Sequence, residues 1–377
     1  MSLWDDVWDV VWVELGDRRY PIVVADGAMD QAGKWMREVG LSPGSVHLIV
    51  TDETVDRAGY ARRVAAALTA EGVRVETAVV PAGEPTKSLE WASRLWEAAL
   101  AAGLDRRSAI WAVGGGMVGD LAGFVAATYM RGIAFVQVPT TWLAHDAAVG
   151  GKVAINLPEA KNVVGAFHQP RLVLYDPTAL DSLSARDVAS GLAEVVKHAC
   201  IRDAELFYEL AERGKELLHL AGSDRGRLLA RSCAIKARVV EEDEKESGVR
   251  AHLNFGHTLG HSLETLGDYR RYRHGEAVAV GMVFAALLSE EWLGAPPGTA
   301  ERIACLLEEI GLPVRIPAEF TDDDLIGPMY KDKKMIGGHL TFVLLETLGR
   351  ARAVTRIPEE AVRKVLDRHR RQFPPRG

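Results

Sequence analysis

The stretch Ala109-Ile-Trp-Ala-Val113, followed by Gly114-Gly-Gly116-Met-Val-Gly119-Asp120, decides the fold. A short apolar run ends in clustered glycines and continues into small residues at helical spacing, which predicts a strand, a tight turn and a helix. Glycine tolerates positive φ and lets backbone N–H groups approach an anion, and a helix N-terminus adds positive potential. The stretch predicts a phosphate cradle, with a plain strand-to-helix turn as the alternative. Its glycine spacing is not that of the Rossmann fingerprint G-x-G-x-x-G.

Similar apolar runs recur on both sides of this stretch and alternate with helical segments. Strands that alternate with helices pair in parallel, so we predict an α/β fold with a doubly wound, Rossmann-like sheet. In such sheets ligands bind beyond the carboxyl ends of the strands. The predicted strands are Tyr20–Val24, Val46–Val50 with Thr51 and Asp52 at its end, Val73–Val80, Ser108–Val113, Ile133–Val138 and Leu172–Tyr175.

The pattern changes after Pro177, where apolar residues recur at spacings of three and four. This periodicity predicts a mainly α-helical second half. We therefore expect an α/β domain over residues 1–177 and a helical domain over residues 178–377, with the active site in the cleft. The C-terminal stretch Pro358–Gly377 predicts a basic helix with a solvated charged face. The other predicted helices are Val188–Ala199, Ala204–Leu218, Arg225–Val240 and Glu276–Trp292.

Composition and charge exclude several classes of protein. The 377 residues are 48% hydrophobic, which suffices for about two domains with sizeable cores. The formal net charge of −7 gives no basic field that would attract a nucleic-acid backbone. Cys200, Cys233 and Cys305 are too few and too widely spaced for a disulfide framework or a cysteine zinc site. We expect a cytoplasmic protein with reduced thiols that binds no nucleic acid.

The N-terminal segment is acidic, with Asp5 and Asp6 where a secretion signal would need a basic start. No apolar run reaches the roughly 18 residues of a membrane span, so no membrane partner is expected. Trp4, Trp8 and Trp12 recur every four residues, which would form a stripe on one helical face. That stripe predicts either an interfacial anchor or core and subunit packing, and its acidic neighbours favour packing.

A histidine-rich run predicts metal chemistry. His257 and His261 are four residues apart, so on a helix they share one face. His274-Gly-Glu276 follows on the next segment, and Glu194 lies three positions before Lys197 in a helical stretch upstream. Together these residues offer the three protein ligands of a catalytic divalent metal with an open position. Glu194 and Lys197 are equally consistent with a simple helix ion pair.

Two polar loops and a group of polar residues near the histidine run predict anion sites. The segment Pro81–Lys87 suits a nucleotide ribose and phosphates or is an ordinary surface turn. The run Asp146–Lys152, with Lys161 and Asn162 after it, suits a second anion or is a flexible surface loop. Two phosphate sites imply a nucleotide together with a phosphorylated substrate. Further polar groups near the histidine run, suited to an anion, are Lys236, Arg250 and Asn254.

Taken together, these segments resemble the 3-dehydroquinate synthase family of the sugar-phosphate cyclases, from roughly Leu15 to Arg356. The matching text is GGGMVGDLAGFVAATYMRG (114–132), VPTTWLAHDAAVGGKVAINLPEAKNVVGAFHQP (138–170), GLAEVVKH (191–198), GVRAHLNFGHTLGHSLE (248–264), HGEAVAVGM (274–282) and DKK (332–334). One departure is visible: many members read V-D-S-S-V-G-G-K where this chain reads H-D-A-A-V-G-G-K, in a loop one residue shorter. The alignment of Asp146 therefore depends on its spacing to Lys152.

The resemblance implies a role for each matching residue. The implied metal ligands are Glu194, His257 and His274, for zinc or cobalt, which makes His261 a substrate-phosphate contact. The implied substrate residues are Arg131 from across a dimer interface, Lys152, Asn162, Lys236, Arg250, Asn254, His261 and Lys333, with Lys334 as an alternative to Lys333. The implied catalytic residues are Asp146, Lys152, Lys197, Lys236, Arg250, Asn254 and His261. The implied NAD⁺ contacts are Asp52, Gly83, Glu84, Lys87, Gly114, Gly115, Gly116, Met117, Val118, Gly119, Asp120, Thr140, Thr141, Lys152 and Lys161.

The implied activity is that of a carbon–oxygen lyase of the shikimate pathway, which leads to aromatic amino acids. Such an enzyme converts 3-deoxy-D-arabino-heptulosonate 7-phosphate to 3-dehydroquinate and phosphate by transient NAD-dependent oxidation, phosphate elimination, re-reduction, ring opening and aldol closure. The implied assembly is a homodimer. The alternatives are another sugar-phosphate cyclase, a metal-dependent polyol dehydrogenase of the glycerol type, and a non-enzymatic sensor that would have lost these ligands.

Overall fold

The chain forms two units in the computed structural model, which describes residues 9–158, 160–331 and 340–374. Unit 1 comprises Met1–Leu183 and Ala221–Lys245, and unit 2 comprises Ser184–Leu220 and Glu246–Gly377. The helix within residues 221–245 therefore packs with the first unit, although it follows the first helices of the second. The expected boundary at residue 177 stays a prediction, since contacts within the chain do not measure independent folding.

The strands are β1 (Asp9–Val13), β2 (Tyr20–Val24), β3 (Val46–Asp52), β4 (Arg74–Val80), β5 (Ala109–Gly114), β6 (Ala134–Pro139), β7 (Lys152–Leu157), β8 (Ala160–Phe167), β9 (Leu172–Tyr175), β10 (Thr341–Thr347) and β11 (Arg350–Thr355). The α-helices are α1 (Ala32–Glu38), α2 (Glu53–Ala58), α3 (Tyr60–Ala70), α4 (Leu89–Ala102), α5 (Gly116–Thr128), α6 (Ala144–Ala147), α7 (Ala185–Arg202), α8 (Ala204–Arg213), α9 (Gly222–Glu242), α10 (His257–Leu266), α11 (His274–Trp292), α12 (Thr299–Glu309), α13 (Asp322–Lys331) and α14 (Glu359–Gln372).

Unit 1 is built on a seven-stranded sheet of order β1-β2-β9-β6-β5-β3-β4, parallel except for the β1–β2 pair. All six predicted strands are present, so the doubly wound fold is confirmed. Side chains of β5 alternate between the two faces: Trp111 packs among side chains of α1 and α3, and Ile110 among those of α4 and α5. The order of strands reverses between β3 and β5, which makes their carboxyl ends the switch point where such sheets bind ligands.

Strand β1 and the hairpins β7–β8 and β10–β11 were not predicted. Trp12 lies on β1, so the predicted helical stripe is wrong at that residue, and Trp4 and Trp8 lie outside the described residues. A spacing of four also fits one face of a strand, whose side chains alternate with a period of two. The Trp12 ring packs under the Arg19 guanidinium at 4.2 Å.

Unit 2 is mainly helical, as predicted, around the buried helix α11. Among the described residues no helix has the length and apolar character needed to cross a bilayer. The helix predicted over 204–218 ends at Arg213 and continues as a 3₁₀ turn, Gly214–His219. The C-terminal helix α14 is not simply solvated: one face is buried, and Arg368 pairs with Glu290 of α11. Hydrophobic docking and ion pairs both hold this helix.

Two glycines let helices of unit 2 approach closely. A Cβ atom at Gly275 would lie 1.9 Å from the carbonyl oxygen of Ser190 in α7. A Cβ atom at Gly281 would lie 1.8 Å from the carbonyl oxygen of Gly256, which precedes α10. Since no side chain tolerates such distances, α11 can contact both α7 and α10 only with glycine at these positions. The same helices carry the predicted metal ligands.

Candidate functional site

Three predicted metal ligands converge in unit 2. The Glu194 Oε1 atom lies 3.7 Å from His257 Nε2 and 3.5 Å from His274 Nε2. The ligand atoms of the three residues lie within 4.8 Å of one another. Two ligand atoms of a tetrahedral zinc ion with bonds of about 2.1 Å are roughly 3.4 Å apart, so these spacings fit one divalent ion.

Both histidines present the same ring nitrogen to this point. The Nδ1 atom of His257 lies 3.1 Å from the Phe255 carbonyl oxygen, and that of His274 lies 3.3 Å from Glu264 Oε1. A carbonyl oxygen can only accept, so Nδ1 of His257 carries the hydrogen and Nε2 retains its lone pair. A carboxylate on the far nitrogen of His274 orients a metal-binding imidazole in the same way. The donor set and its orientation therefore fit a divalent metal.

The charge around the cluster also favours a cation. Burial acts to lower the pKa of His274, but the carboxylates of Glu264 and Glu194 outweigh it and raise that pKa to about 10. The other oxygen of Glu194, Oε2, accepts a hydrogen bond from the Lys197 ammonium, and both side chains are 1% exposed. Glu194 thus forms the helix ion pair with Oε2, while Oε1 faces the two histidines and its role as a metal ligand stays a prediction. The raised pKa of His274 shows that the two carboxylates favour a positive charge at this point, which a bound metal ion would supply.

The remaining residues of the histidine motif have other tasks. Glu276, considered with His274 as a ligand source, instead accepts from the backbone N–H of Arg273 and forms two hydrogen bonds, of 2.6 and 2.8 Å, with Arg186 of α7. It fixes the start of α11 against the helix that carries Glu194. The His261 ring lies 5.5 Å from the His257 ring, centroid to centroid, but is not one of the three converging ligands in the described part of the chain.

Two predicted substrate residues precede α10 in a 3₁₀ turn, Val249–Asn254, rather than on an α-helix. The Arg250 side chain is buried, with 1% of the residue exposed. The Asn254 amide donates a hydrogen bond to Glu246 over 3.2 Å. Both residues belong to unit 2, whereas Lys236 lies on α9 of unit 1. Their predicted roles stay predictions.

The glycine-rich turn of unit 1 lies at the switch point of the sheet, between β5 and α5. Contrary to the expectation, Gly114, Gly115, Gly116 and Gly119 do not adopt positive φ. Their small size matters instead: a Cβ atom at Gly114 would lie 2.7 Å from Val118 Cβ, and one at Gly119 would lie 2.7 Å from Gln137 Oε1. The turn brings strand, helix and neighbouring strand into close contact. The first N–H groups of α5, at Gly116, Met117 and Val118, have no acceptor within the helix.

Polar atoms without protein partners surround this turn. Among the described residues, the buried hydroxyl oxygens of Thr51 and Thr140, near the ends of β3 and β6, make no hydrogen bond. The side chain of Asp52 accepts hydrogen bonds from Thr54 and Val55 at the start of α2. Thr141 contributes its carbonyl oxygen as acceptor for the Tyr175 hydroxyl. Orphaned hydroxyl groups and a helix N-terminus at a switch point fit a dinucleotide.

A polar network joins three of the segments predicted to bind an anion. The Lys87 side chain is 4% exposed, and its ammonium donates to Asp120 Oδ2 and to Asn162 Oδ1. Lys161 lies 3.7 Å from Glu84 Oε1, measured from Nζ. Desolvation raises the pKa of Asp120, and the ammonium of Lys87 opposes that rise. The predicted nucleotide residues therefore meet Asn162, a predicted phosphate residue.

The second predicted anion loop contains two glycines in the left-handed region, Gly150 with φ of 95° and Gly151 with φ of 65°. The backbone N–H of Gly150 donates to the Tyr20 hydroxyl over 3.1 Å. Lys152 follows as the exposed first residue of β7. Asp146 Oδ2 pairs with the Lys236 ammonium over 2.9 Å.

Arg131 is exposed and has a left-handed φ of 69°, as has its neighbour Met130 with φ of 49°. Such backbone strain in residues other than glycine persists only where the surroundings enforce it, and it concentrates at functional sites. Gly83 also has positive φ, at 105°, where it leads into the turn that carries Glu84. Lys333 and its alternative Lys334 lie outside the described residues.

Comparison with known proteins identifies the family. The profile described as 3-dehydroquinate synthase N-terminal matches residues 77–190, and the one described as 3-dehydroquinate synthase C-terminal matches residues 191–335. A 3-dehydroquinate synthase of Desulforamulus reducens is 45% identical over 357 residues, 94% of this chain and 99% of that protein. The chain belongs to the 3-dehydroquinate synthase family.

Solved structures of related cyclases agree with this family membership. A 2-deoxy-scyllo-inosose synthase complexed with carbaglucose-6-phosphate, NAD⁺ and Co²⁺ has a TM-score of 0.85 at 26% identity, covering 96% of this chain and 100% of its own. A 2-epi-5-epi-valiolone synthase from Streptomyces hygroscopicus subsp. jinggangensis, with NAD⁺ and Zn²⁺ bound, has a TM-score of 0.82 at 28% identity, covering 95% and 98%. The family membership makes this chain an enzyme of the 3-dehydroquinate synthase type.

Sequence reasoning missed several residues that hold the site together. Glu264 stands at the end of the matching text 248–264, but its contact with His274 depends on the packing of α10 against α11. Asn156 has no role among the predicted site residues, yet its amide donates to Glu84 Oε1 over 2.8 Å and its oxygen accepts from the N–H of Asn162 over 3.0 Å. His145 and Ser232 share a hydrogen bond of 2.9 Å. No spacing rule links residues so far apart in sequence.

Proposed function

We propose that this chain converts 3-deoxy-D-arabino-heptulosonate 7-phosphate to 3-dehydroquinate and inorganic phosphate, using NAD⁺ and a divalent metal. The observation that carries the proposal is the convergence of Glu194, His257 and His274 with both imidazole Nε2 atoms facing one point. A relative that is 45% identical over 94% of this chain is named 3-dehydroquinate synthase. Zinc is the proposed metal, with cobalt as a possible substitute.

The metal residues would supply a fixed, partly neutralised carboxylate and two imidazoles, each of which is neutral at Nε2 once the ion has taken the place of a proton. When bound, the ion would supply Lewis acidity to the hydroxyl groups of the substrate. Lys197 holds the second oxygen of Glu194, and this buried pair keeps the carboxylate oriented. Its ammonium also stands near the ion site, so we assign Lys197 to the polar groups around the reacting hydroxyls. A protein ligand set of three leaves a position open for substrate oxygen.

The nucleotide residues are proposed at the switch point of unit 1. When bound, NAD⁺ would supply a hydride acceptor that is returned to its starting state within one turnover. The first N–H groups of α5 would bind the pyrophosphate, since they have no acceptor within the helix. The remaining contacts are assigned to Asp52, Gly83, Glu84, Lys87, Gly114, Gly115, Gly119, Asp120, Thr140, Thr141, Lys152 and Lys161.

The substrate phosphate would be held by Lys152, Asn162, Asn254 and His261, with Lys333 outside the described residues. The substrate carboxylate would be held by Lys236 and Arg250, whose guanidinium suits it bidentately. Asp146 is assigned to the reacting hydroxyls, beside Lys236. If the substrate phosphate accepts the C6 proton, the residues that hold it orient the base, and the protein's contribution is positioning and charge stabilisation.

We also propose a homodimer in the cytoplasm. The exposed and strained Arg131 supports the first part, since it would act on the phosphate bound by the partner. Cross-linking with size-exclusion chromatography would test the assembly. Mixing Arg131→Ala chains with Lys152→Ala chains should restore activity if Arg131 acts across the interface, because one site of the mixed dimer would then be intact.

Incubation of the purified protein with the heptulosonate phosphate, NAD⁺ and zinc tests the proposal. We expect phosphate and 3-dehydroquinate in equal amounts and no net NADH. A polyol dehydrogenase would accumulate NADH without phosphate, and a cyclase for an uncarboxylated sugar phosphate would leave this substrate intact. A Lys152→Ala variant should lose most of its turnover, and near-normal turnover would contradict its role.

A further inference from the structure

We propose that His145 and Ser232 are positioning residues, which fix Asp146 and Lys236 relative to each other without touching the substrate. The inference rests on the proposed function, because it concerns the pair assigned to the reacting hydroxyls and the carboxylate. Neither His145 nor Ser232 has a role among the site residues assigned above. Both are completely buried in unit 1.

The geometry is a ladder of two contacts between α6 and α9. His145 Nε2 lies 2.9 Å from the Ser232 hydroxyl, and Asp146 Oδ2 lies 2.9 Å from the Lys236 ammonium. The ammonium also donates to the backbone carbonyl of Asp146. Ser232 and Lys236 are four residues apart on α9, so they face α6 from the same side of the helix. The neighbouring residues His145 and Asp146 of α6 therefore contact two successive turns of α9.

The direction of the His145 hydrogen bonds follows from its second contact. Its Nδ1 atom binds the Trp142 carbonyl oxygen, which can only accept, so Nδ1 carries the hydrogen. The Nε2 lone pair is then the acceptor, and the Ser232 hydroxyl donates to it. Removing the hydroxyl would leave a buried ring nitrogen without this donor, a loss that costs more than a solvent-exposed one.

Helix α6 needs such contacts because it has only four residues, Ala144–Ala147. A single helical turn is unstable in isolation, so tertiary contacts determine where it lies. The contact between Asp146 and Lys236 would be weakened when substrate carboxylate competes for the ammonium. The contact between His145 and Ser232 involves no charged group and would remain. The contact between His145 and Ser232 therefore keeps Lys236 in position for the substrate carboxylate during binding.

The test compares two products of one reaction as competitive inhibitors. 3-Dehydroquinate carries the carboxylate that Lys236 is proposed to hold, whereas inorganic phosphate does not. In Ser232→Ala we expect the substrate KM and the Ki for 3-dehydroquinate to rise about tenfold, with less than about a twofold change in the Ki for phosphate. His145→Phe, which keeps a ring but no acceptor, should give the same selective loss.

Three further variants separate positioning from general destabilisation. His145→Gln retains an acceptor for the Ser232 hydroxyl and should recover most of the lost affinity. In His145→Phe, the additional change Ser232→Ala should have no further effect, because the shared bond is already gone. Ser108→Ala is the matched control, since Ser108 is also completely buried in unit 1, and its hydroxyl accepts from Asp105 N–H over 2.8 Å near the start of β5.

The outcomes are distinguishable. Equal losses for both inhibitors, additive effects in the double variant, or unchanged constants in Ser232→Ala would each overturn the positioning role. Should His145→Phe fail to fold, Ser232→Ala still decides, because it removes one hydroxyl. A wild-type protein that forms no 3-dehydroquinate would overturn the proposed function instead. Calorimetry would then compare the binding of each product to the wild type and to Ser232→Ala. The positioning role predicts weaker binding of 3-dehydroquinate and unchanged binding of phosphate in the variant.

Discussion

Each unit contains a buried lysine that pairs with a carboxylate, but the two pairs differ in what surrounds them. In unit 1, Lys87 binds Asp120 and the neutral amide of Asn162, and Asp120 remains 22% exposed at its side chain. In unit 2, Lys197 binds Glu194, both are 1% exposed, and the other oxygen of Glu194 faces His257 and His274. The first pair closes a polar network. The second leaves one carboxylate oxygen directed at two imidazoles.

The difference teaches how similar pairs serve different ligands. In unit 1 the ammonium of Lys87 balances the carboxylate of Asp120, and the amide of Asn162 is neutral. This network therefore suits the hydroxyl groups of a ligand, and the N–H groups at the start of α5 are left to bind its anionic part. With Glu264 behind His274, the cluster of unit 2 has two carboxylates for one lysine, and the excess negative charge calls for a cation. The comparison predicts that charge removal in unit 2 affects metal binding and that charge removal in unit 1 affects NAD⁺ binding.

The largest effect is expected from Glu194→Gln. Loss of a direct ligand should weaken zinc binding by more than the roughly 10–100-fold cost of losing an outer partner of a metal ligand. The variant also leaves the buried Lys197 without its carboxylate, at a cost of about 3–5 kcal/mol in stability. Zinc content after dialysis, turnover and urea unfolding would measure these effects.

A double variant separates the two consequences. Glu194→Gln with Lys197→Met removes both buried charges, so the unfolding free energy should recover while zinc binding should not. Restored zinc binding in the double variant would contradict the assignment of Glu194 as a ligand.

The second effect concerns Glu264, which holds the far nitrogen of His274. Glu264→Ala should lower zinc affinity by about 10–100-fold, because the imidazole loses the carboxylate that orients it. Competition with a fluorescent chelator would measure the affinity. NAD⁺ binding by unit 1 should stay unchanged. The matched control is Glu291→Ala on the surface of α11, where the carboxylate pairs with Lys364 and not with a ligand.

The third effect tests unit 1. Lys87→Met should raise the dissociation constant of NAD⁺ about tenfold, because the network that joins Asp120 to Asn162 loses its centre. Fluorescence titration with NAD⁺ and chelator competition for zinc would be run in parallel. If zinc affinity falls as much as NAD⁺ affinity, the two regions are not separate in function. Lys87→Met with Asp120→Asn should be more stable than the single variant, since no uncompensated carboxylate remains.

The smallest effect contrasts a half-buried histidine of unit 2, His274, with a buried histidine of unit 1, His47. Carboxylates raise the pKa of His274, whereas burial lowers the pKa of His47 to about 4. Unfolded histidine has a pKa near 6.5, so below that pH the unfolded chain binds a proton that folded His47 does not. The contribution of His47 to the free energy of unfolding is therefore fully present above pH 6.5. It falls by up to about 1.4 kcal/mol per pH unit as the pH decreases towards 4.

His47→Gln should remove that share of the pH dependence while keeping an acceptor for the Trp111 indole N–H, which donates to His47 over 3.1 Å. Urea unfolding at pH 5, 6 and 7 would measure the slope. The wild type and the variant should differ most at pH 5, and parallel curves would show that His47 is not the titrating group. Burial also lowers the pKa of His369 in unit 2 to about 3. His369 should therefore account for part of the pH dependence of stability that remains in the variant.

Prediction from sequence succeeded where a local pattern has a single structural reading. The six strands from Tyr20 to Tyr175 follow from short apolar runs that alternate with helical ones. It failed where one pattern has two readings: the spacing of Trp4, Trp8 and Trp12 fits a strand as well as a helix. For the glycines of 114–119 the sequence suggests both positive φ and close backbone approach, and the structure uses only their lack of a side chain.

The sequence by itself determined the fold class, the family and the residue types of the metal cluster, because these depend on local periodicity and on long ordered motifs. Only the tertiary structure decided which atoms meet. Glu194 directs one oxygen to the histidines and one to Lys197, Glu264 stands behind His274, and Glu276 fixes the start of α11. Apart from the pair of Glu194 with Lys197, these contacts join residues of different helices, and they require the close helix packing at Gly275 and Gly281, which no periodicity encodes.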